Sequence, residues 1–570
     1  MRAILRWLTR VAVVAAIFLA VGLMSARLRR PGPVLYTGGP ILTMDAAGRV
    51  VEALAVDGER IAAAGTRAEL LAWADERGAR IVELGGRALL PGFVDAHGHF
   101  PGEGLEAMAA NLNSPPIGEV RTLDELLARL RVRAEETSSG EWVVGFGYDD
   151  TLLAEKRHPT RVDLDRVSSD HPVAAMHISG HLAAVNSAGL AKLGFDRASP
   201  DPEGGVVRRG PDGEPDGVLE ETAMEPIQAH IANPSPLAAL RMLRMAVHRA
   251  LAHGVTTAQS GYAGAVEIRM FPWLARLGLL PLRVVVWPGD EASDAILAGD
   301  LSIPSSDPLR VRYGATKLVA DGSIQGYTGY LSQPYYVPPG DDPGYRGYPR
   351  IPREALFEKV ARYHAAGRQL AMHGNGDASI EDILDAYEAA QRAHPRDDAR
   401  PIVIHAQMAR PDQLDRMRRL GVVPSFFSLH TYYWGDRHRD IFMGPERAAR
   451  MSPAATALAK GVRFTIHCDA PVVPMEPLRL VWAAVNRRST SGAAIGPAER
   501  ITVWQALRAV TIDAAWQHFE EADKGSLEVG KLADLVILDR SPLDVDPAEI
   551  DDLQVLETLV GGRTVWRATE

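Results

Sequence analysis

The chain has 570 residues and a mass of 61.7 kDa, enough to bury a large core in several domains or in one barrel with additions. Hydrophobic residues make up 46% and charged residues 24%, which is ordinary for a globular protein and excludes extensive disorder. The net charge of -10 provides no basic surface, so we exclude nucleic acid as a partner. The single cysteine, Cys468, excludes a disulfide within the chain.

The first 32 residues contain an uncharged apolar stretch, VAVVAAIFLAVGLMSA, at residues 11–26. Arginines flank this stretch on both sides, and the residues at its end make a poor signal-peptidase site. With some tilt its length is close to that of a spanning helix, so we favour an uncleaved N-terminal hydrophobic helix over a cleaved signal. The prediction is a signal anchor over residues 1–32 that tethers an extracytoplasmic, periplasmic domain to the membrane. Cleavage would instead make the protein secreted.

The two ends of the remaining chain have similar patterns. Residues 33–88 contain short β-type runs separated by turns such as AAGR and DGE. Residues 501–570 contain a helical segment and then further alternating runs around Gly and Asp. We therefore expect the two ends to pair in one composite β-sandwich domain.

Between these ends, residues 89–500 alternate strand-like apolar runs with helical patterns, which indicates βα units and a parallel sheet. Nine such runs can be found, one more than an eight-stranded barrel uses. The run PVAAMHIS lies in a region rich in Pro and Gly, so we assign it to an insertion at about 100–235. The predicted fold is an α/β protein with a (β/α)8 TIM barrel.

The segment PGFVDAHGHF, residues 91–100, places polar side chains at the end of the first run. If the strand continues, Asp95, His97 and His99 point to one face at the carboxyl end of the sheet, where catalytic groups lie. The spacing alone leaves metal binding and a solvated polar loop equally open.

Comparable polar residues fall on other strands: Lys317, His373, His405 and Asp469. A lone histidine at a strand end is more often structural, but an unpaired lysine inside a barrel costs several kcal/mol. Together with the histidine pair, these residues form one inward-facing set.

The chain resembles a known family through a series of segments. They are PGFVDAHGH, GYDDTLLAEKRHPTRVDLDRVSSDHPV, SGHLAAVNSAGL, GVTT, KLVADGS, HGNGDA, IVIHAQ, DAPVVPMEPLRLVWAAVNR and GSLEVGKLADLVILD. Taken together they are typical of the metal-dependent amidohydrolases, and within them of the amidohydrolase 3 or YtcJ-like group, which includes N-substituted formamide deformylases. The resemblance covers nearly all of the chain after residue 33.

The resemblance implies a (β/α)8 barrel with a β-sandwich built from both chain ends. It also implies one or two divalent metal ions, with zinc as the default and Mn²⁺, Fe²⁺ or Co²⁺ as alternatives. Lys317 would be carboxylated and would bridge the two ions as an anionic ligand. The implied ligands are His97, His99, Lys317, His373 and His405.

Asp469 is the predicted catalytic residue. The metal would acidify a water molecule, and Asp469 would act as general base and pass the proton to the leaving nitrogen. The structural alternative for Asp469 is a helix N-cap before APVVP.

Five further residues are predicted near the site. His181, Glu220 and Asp321 could contact the substrate, although a packed histidine or a turn residue explains each of them as well. Asp95 and His467 are predicted to orient the ligands by hydrogen bonds. For His467 an additional metal ligand and a buried structural histidine are also open.

The function predicted from the sequence is a metal-dependent hydrolase that cleaves a non-peptide C–N bond in a small amide, formamide or cyclic amide. Two alternatives stay open: hydrolysis of a carboxylic or phosphate ester at the same metal site, and a barrel that binds metal or ligand without turnover. The sequence leaves a homodimer open.

Overall fold

The structure is a computed structural model that describes residues 31–231 and 235–569. These residues form four β-sheets with helices packed against them. Two of the sheets are entirely parallel, and they position the site.

The N-terminal part forms five strands and one helix. Helix α1 begins after Thr66, whose side chain forms a capping box with Glu69, and it ends at Gly78 in the left-handed conformation with φ 59°. The elements are β1 (Val34–Leu42), β2 (Val50–Asp57), β3 (Arg60–Gly65), α1 (Arg67–Arg77), β4 (Arg80–Glu83) and β5 (Ala88–Pro91).

After the short strand β6 (Phe93–Val94), the chain forms a separate six-stranded sheet in the order β11-β12-β10-β9-β8-β7. We call it the inserted sheet. Strands β7, β8 and β9 are parallel, and the others are antiparallel. The run PVAAMHIS supplies β9 here and does not enter the parallel sheets. The elements are β7 (Ala110–Asn111), α2 (Leu123–Glu135), β8 (Val143–Tyr148), α3 (Arg161–Asp165), β9 (Val173–His177), β10 (Leu182–Val185), α4 (Ser187–Leu193), β11 (Gly205–Arg209), β12 (Pro215–Glu221) and α5 (Glu225–Ile231).

The following residues form the parallel sheets, with the orders β15-β14-β13-β6 and β16-β17-β18-β19-β20. An isolated parallel bridge between Gly289 and Lys317 joins the two sheets. The strands are β13 (Val255–Ala263), β14 (Arg283–Pro288), β15 (Val311–Tyr313), β16 (Thr316–Val319), β17 (Leu370–Gly374), β18 (Ile402–His405), β19 (Val423–Phe426) and β20 (Thr465–Ile466). The intervening helices are α6 (Pro236–Ala252), α7 (Ala265–Arg276), α8 (Asp290–Ala298), α9 (Arg353–Ala365), α10 (Asp377–Ala393), α11 (Pro411–Leu420), α12 (His430–Tyr433), α13 (Gly435–Arg437), α14 (Gly444–Ala449) and α15 (Ala454–Ala459).

The strands of the parallel sheets are buried on both faces. Every residue of β17, β18 and β19 is buried, as continuous apolar runs such as PIVIH predict for a sheet covered by helices. Their carboxyl ends therefore offer the sheet edge at which polar side chains can meet.

The C-terminal part returns to the first sheet. Strand β5 pairs with β21, so both ends of the chain contribute to one eight-stranded sheet in the order β23-β22-β21-β5-β1-β2-β3, with β4 paired to β1. The elements are α16 (Pro477–Asn486), α17 (Val503–Ala509), α18 (Ile512–Gln517), β21 (Leu535–Leu538), β22 (Val555–Val560) and β23 (Arg563–Arg567).

The mixed α/β character predicted from the sequence is confirmed. The strand pairing recorded among the described residues, however, comprises two parallel sheets of four and five strands, and it does not by itself close an eight-stranded barrel.

The predicted N-terminal membrane helix needs a correction. In the two ranges that the structure describes, no helix is both long and apolar enough to cross a membrane. The apolar stretch at residues 11–26 lies outside those ranges. The expectation of a signal or transmembrane segment, and of a membrane-anchored or secreted protein, is therefore withdrawn.

A buried ion pair links the C-terminal sheet to the parallel strand β14. Arg283 Nε and Nη2 donate to the two carboxylate oxygens of Asp534 at 2.6 and 2.8 Å, and the side chains are only 2% and 3% exposed. Asp534 also accepts a hydrogen bond from Gly561 N at 2.8 Å, next to the β22–β23 turn. This pair fixes the two sheets to each other through charges that water cannot reach.

Replacement of Arg283 by Met is expected to lower the free energy of unfolding by about 3–5 kcal/mol, because Asp534 would stay buried without its partner. Urea denaturation measures the loss. The matched control is Arg540→Met, since Arg540 and its partner Glu549 are 47% and 53% exposed; this change should cost less than about 1 kcal/mol. Equal losses in the two variants would contradict the role assigned to the buried pair.

Candidate metal centre

The histidine pair lies in a bend after β6. The strand ends at Val94, so it does not continue through the pair as the sequence pattern had suggested. The bend is held by two bonds to the backbone: His97 N donates to Asp95 Oδ1 at 3.2 Å, and Gly98 N donates to Gln259 Oε1 at 2.9 Å. Both imidazoles nevertheless face the same carboxylate, because the bend turns them together.

That carboxylate belongs to Asp469, three residues after β20. Asp469 Oδ1 lies 3.4 Å from His97 Nε2 and 3.2 Å from His99 Nε2, and Asp469 Oδ2 lies 3.8 Å from His405 Nε2. Asp469 has φ 54° and His405 has φ 68°, positive backbone angles that residues other than glycine rarely adopt. Such backbone strain costs about 1–3 kcal/mol per residue and is concentrated at functional sites.

The remaining two histidines end neighbouring parallel strands. The rings of His373 in β17 and His405 in β18 have centroids 4.6 Å apart. His373 Nδ1 is hydrogen-bonded to Asp321 Oδ1 at 3.0 Å, and His405 Nδ1 is hydrogen-bonded to His467 Nε2 at 3.0 Å. His467 is held in turn by Ser425 Oγ at 2.8 Å from its Nδ1.

Lys317 enters the centre from β16. Its Nζ lies 2.9 Å from His97 Nε2, and the side chain is buried. Burial lowers the pKa of Lys317 to about 7, and the negative charge of Asp469 opposes this shift only in part. A substantial fraction of this amine is therefore uncharged at neutral pH.

The other charges of the centre follow from burial and from mutual contacts. Burial lowers the pKa values of His97, His373 and His405 well below the usual range, so their imidazoles are neutral. Burial would favour the protonated form of Asp469, but the contact with His99 and the other nearby basic groups bring its pKa down to about 2. The centre thus combines neutral nitrogen donors with an ionised carboxylate.

Asp95 and Asp321 are hydrogen-bonded to two of the histidine residues, Asp95 to the backbone of His97 and Asp321 to the ring of His373. Asp95 is buried, and burial raises its pKa well above the ordinary value. Burial also raises the pKa of Asp321 to about 7, even though three backbone N–H groups, those of Tyr330, Asn375 and Gly376, donate to its oxygens. Asp321 is thus hydrogen-bonded to His373 and to three backbone N–H groups.

The residues of the inserted sheet divide into two groups. His181 comes close to the centre, because its ring centroid lies 5.0 Å from that of His373. Its Nδ1 is hydrogen-bonded to Glu221 Oε2 at 2.9 Å. Glu220 is not part of this arrangement: it pairs with Arg208 and accepts a hydrogen bond from Tyr348 OH at 2.9 Å.

Three residues that contact the centre were not singled out from the sequence: Gln259, Glu221 and Ser425. Gln259 lies in β13 and holds His97 Nδ1 at 3.1 Å as well as the backbone of Gly98. The signal for Gln259 was an amide inside the otherwise buried run GVTTAQS. Glu221 could not be separated from its neighbour Glu220, because the sequence does not give the register of the last strand residues.

The arrangement can hold a divalent metal. The candidate ligand atoms of His97, His99 and Asp469 lie within 4.8 Å of one another. Two ligands of a tetrahedral zinc ion are about 3.3 Å apart, which is close to the Asp469 contacts with His97 and His99. At His97, His373 and His405 the Nδ1 atom is held by a hydrogen bond, as in metal sites generally. Nε2 then faces Asp469 at His97 and His405, whereas at His373 it lies 3.4 Å from Asn375 Nδ2.

Comparisons with known proteins agree with this geometry. The chain is 28% identical over 544 residues to YtcJ of Bacillus subtilis (strain 168), covering 93% of this chain and 99% of that protein. It is also 28% identical over 543 residues to the N-substituted formamide deformylase of Arthrobacter pascens, covering 92% and 96%.

Among solved structures, an uncharacterized metal-dependent hydrolase from Pyrococcus furiosus superimposes with a TM-score of 0.69 at 27% identity, covering 90% of this chain and 100% of that one. A second, from Pyrococcus horikoshii OT3, gives a TM-score of 0.72 at 24% identity over 90% and 99% of the two chains, a likeness of fold.

The family model described as "Amidohydrolase family" matches residues 80–566, which includes every element of the centre described above. This chain belongs to the amidohydrolase family, as a metal-dependent hydrolase.

Proposed function

We propose that this hydrolase cleaves a non-peptide C–N bond in a small amide, formamide or cyclic amide. The observation that carries the proposal is the pair of imidazoles, those of His97 and His405, whose Nδ1 atoms are fixed by hydrogen bonds while their Nε2 atoms face Asp469, with Lys317 beside His97 Nε2. The similarity to a protein named as an N-substituted formamide deformylase supports the C–N bond as the target.

His97, His99, His373 and His405 would hold the metal, and zinc fits their nitrogen donors best. The fit rests on neutral imidazoles and an ionised carboxylate in one buried place. When bound, the metal polarises the substrate carbonyl and lowers the pKa of a water molecule.

Asp469 moves the proton. Its carboxylate stays ionised at neutral pH because its pKa is about 2, so it can accept a proton from the attacking water. The same oxygen then delivers the proton to the leaving nitrogen, which departs as a neutral amine. The contacts with His97 and His99 hold the carboxylate on the inner side of the histidine pair.

Lys317 would carry a carboxylate on its side-chain nitrogen. The uncharged amine attacks CO₂, a C–N bond forms, and one proton leaves to solvent, which yields an anionic carbamate. Burial favours the uncharged amine that this step needs. The carbamate oxygens would be placed beside His97 Nε2 and could bridge two metal ions.

The supporting residues take different roles. His181, with Nδ1 fixed by Glu221, would present Nε2 to the substrate. Asp321 positions His373, Asp95 the bend before His97, and His467 the ring of His405. We assign Glu220 no role toward the substrate, because Arg208 and Tyr348 occupy its oxygens.

We further propose that the two parallel sheets close into the predicted (β/α)8 barrel, in which β15 and β16 together form one of the eight strands, since both lie beside the β14 segment. The bridge between Gly289 and Lys317 supports one junction. At the other junction Asp469 N donates to His97 O at 3.2 Å, which links the ends of β20 and β6.

Asp469→Asn is expected to lower kcat by about 10²- to 10⁴-fold, because the amide cannot take a proton from water. Kinetics on N-formyl and N-acyl amines measure this, with metal content checked in each preparation. Asp440→Asn, an exposed carboxylate paired with Arg439, is the control and should leave kcat unchanged. Full activity in the Asp469 variant would remove this residue from the mechanism. Turnover of lactones or phosphotriesters without any amide turnover would refute the C–N assignment.

Lys317→Ala is expected to reduce the number of metal ions bound per chain, because the bridging oxygens are lost. Elemental analysis of the desalted protein gives the count, and Lys192→Ala, at an exposed position on helix α4, is the control. If the Lys317 variant retains every ion bound by the wild type, a bridging carbamate is ruled out.

Gln259→Leu is expected to weaken metal binding by about 10- to 100-fold, since His97 loses the bond that orients its ring. Chelator competition measures the dissociation constant. The comparison variant is Gln391→Leu on α10, where the amide contacts Tyr387, the backbone of Arg396 and His364, none of which belongs to the centre. An unaltered metal affinity in the Gln259 variant would show that the ring is positioned without it.

A further inference from the structure

A second group of histidines and carboxylates lies at one edge of the inserted sheet. Strands β8 and β9 are parallel, and Tyr148 at the end of β8 is in register with His177 at the end of β9. Asp149 and Asp150 follow Tyr148 directly, so their carboxylates leave the sheet beside His177. His158 reaches the same place from the loop before α3, with its ring centroid 5.9 Å from that of His177.

The two imidazoles converge on Asp150. His177 Nε2 lies 3.2 Å from Asp150 Oδ1, and His158 Nε2 lies 3.7 Å from Asp150 Oδ2. These separations bracket the distance of about 3.3 Å between two ligands of a tetrahedral zinc ion.

Both imidazoles are held by their other nitrogen. His158 Nδ1 is hydrogen-bonded to Tyr148 OH at 3.0 Å, and His177 Nδ1 to Ser179 Oγ at 2.8 Å. His177 Nδ1 also accepts from Ser179 N at 3.2 Å, so metal binding at Nε2 would require the ring proton to move to Nδ1, where Ser179 Oγ can accept it. Both Nε2 atoms are directed at Asp150. Burial lowers the pKa of His158 to about 3, so its ring is neutral and its lone pair is available.

The contact between His177 and Asp150 is close but poorly aligned. His177 Nε2 is buried and lies 3.2 Å from Asp150 Oδ1, yet among the described residues it forms no well-aligned hydrogen bond. A metal ion between this nitrogen and the carboxylate would bind both groups.

Asp149 differs from Asp150 because both of its carboxylate oxygens accept hydrogen bonds from neighbouring residues. Its Oδ1 accepts from Thr151 N and Oγ1 at 3.0 and 2.6 Å, and its Oδ2 accepts from Trp434 Nε1 and Arg437 Nη1 at 3.1 and 2.6 Å. It therefore fixes the inserted sheet to the segment around α12 and α13. Asp150 instead lines a cavity of about 600 Å³ whose wall also includes Tyr327 and Tyr433.

We propose that His158, His177 and Asp150 form a second metal site, separate from the first centre, that binds a divalent transition-metal ion of the zinc type. Two imidazoles and one carboxylate supply three ligands and leave a coordination position open toward the cavity. A water molecule or an oxygen of a bound small molecule can fill that position. The site is independent of the proposed C–N hydrolysis, because none of its ligands belongs to the first centre.

Zinc analysis of the full chain tests the proposal. Apoprotein prepared with a chelator is reloaded with Zn²⁺ alone, desalted and analysed for metal per chain. His177→Gln and His158→Gln should each bind about one equivalent less than the wild type, since an amide is a poor zinc ligand. The control is His171→Gln in the same unit, whose ring contacts the carbonyl oxygen of Glu141; it should bind as much as the wild type. Equal zinc content in all four proteins overturns the proposal.

A crystallographic measurement keeps the proposal testable if the variants do not fold. Anomalous diffraction at the zinc edge from wild-type crystals grown with Zn²⁺ should give a peak between Asp150, His158 and His177. A map with a peak at the first centre but none here refutes the second site. Because the map gives the position of each metal ion separately, the result at one site does not affect the conclusion about the other.

Discussion

The centre depends on bringing basic nitrogens and one carboxylate out of water and into contact. Asp469 lies within 4 Å of His97 and His99, which share one bend, and of His405, which comes from a distant strand. Burial would neutralise each group if it were alone, and it does keep the imidazoles uncharged. Asp469 stays ionised because the contact with His99, together with the nearby His467 and Lys317, lowers its pKa. Neutral imidazole nitrogens and an ionised carboxylate therefore lie together, and this combination of groups suits a divalent cation.

Such a cluster needs a rigid frame, and the parallel strands provide it. Strands β16, β17 and β18 are paired side by side, so Lys317, His373 and His405 reach the same edge at fixed spacing. Side-chain bonds then set the rings: Gln259, Asp321 and His467 each hold one Nδ1 atom. The buried pair of Arg283 and Asp534 ties this frame to the sheet made by both chain ends.

The inserted sheet repeats the principle on a smaller scale. Two parallel strands end together, two imidazoles are held at Nδ1, and their Nε2 atoms face a carboxylate. It also contributes His181, which approaches His373. This sheet thus contacts the first centre through His181 and carries the histidines of the proposed second site.

The sequence by itself determined the mixed α/β class, the family and the residue types that the parallel strands bring together. It could do so because strands buried on both faces of a parallel sheet have continuous apolar sequences, and because the family segments are long and specific. It could not determine that β6 ends at Val94, since the bend depends on Gln259, which is 161 residues from Gly98. Only the tertiary structure separated Glu221, which holds His181, from Glu220, which pairs with Arg208. The same holds for the meeting of Asp150, His158 and His177. Such choices are made by register and by contacts between distant segments, and no local pattern in the chain encodes them.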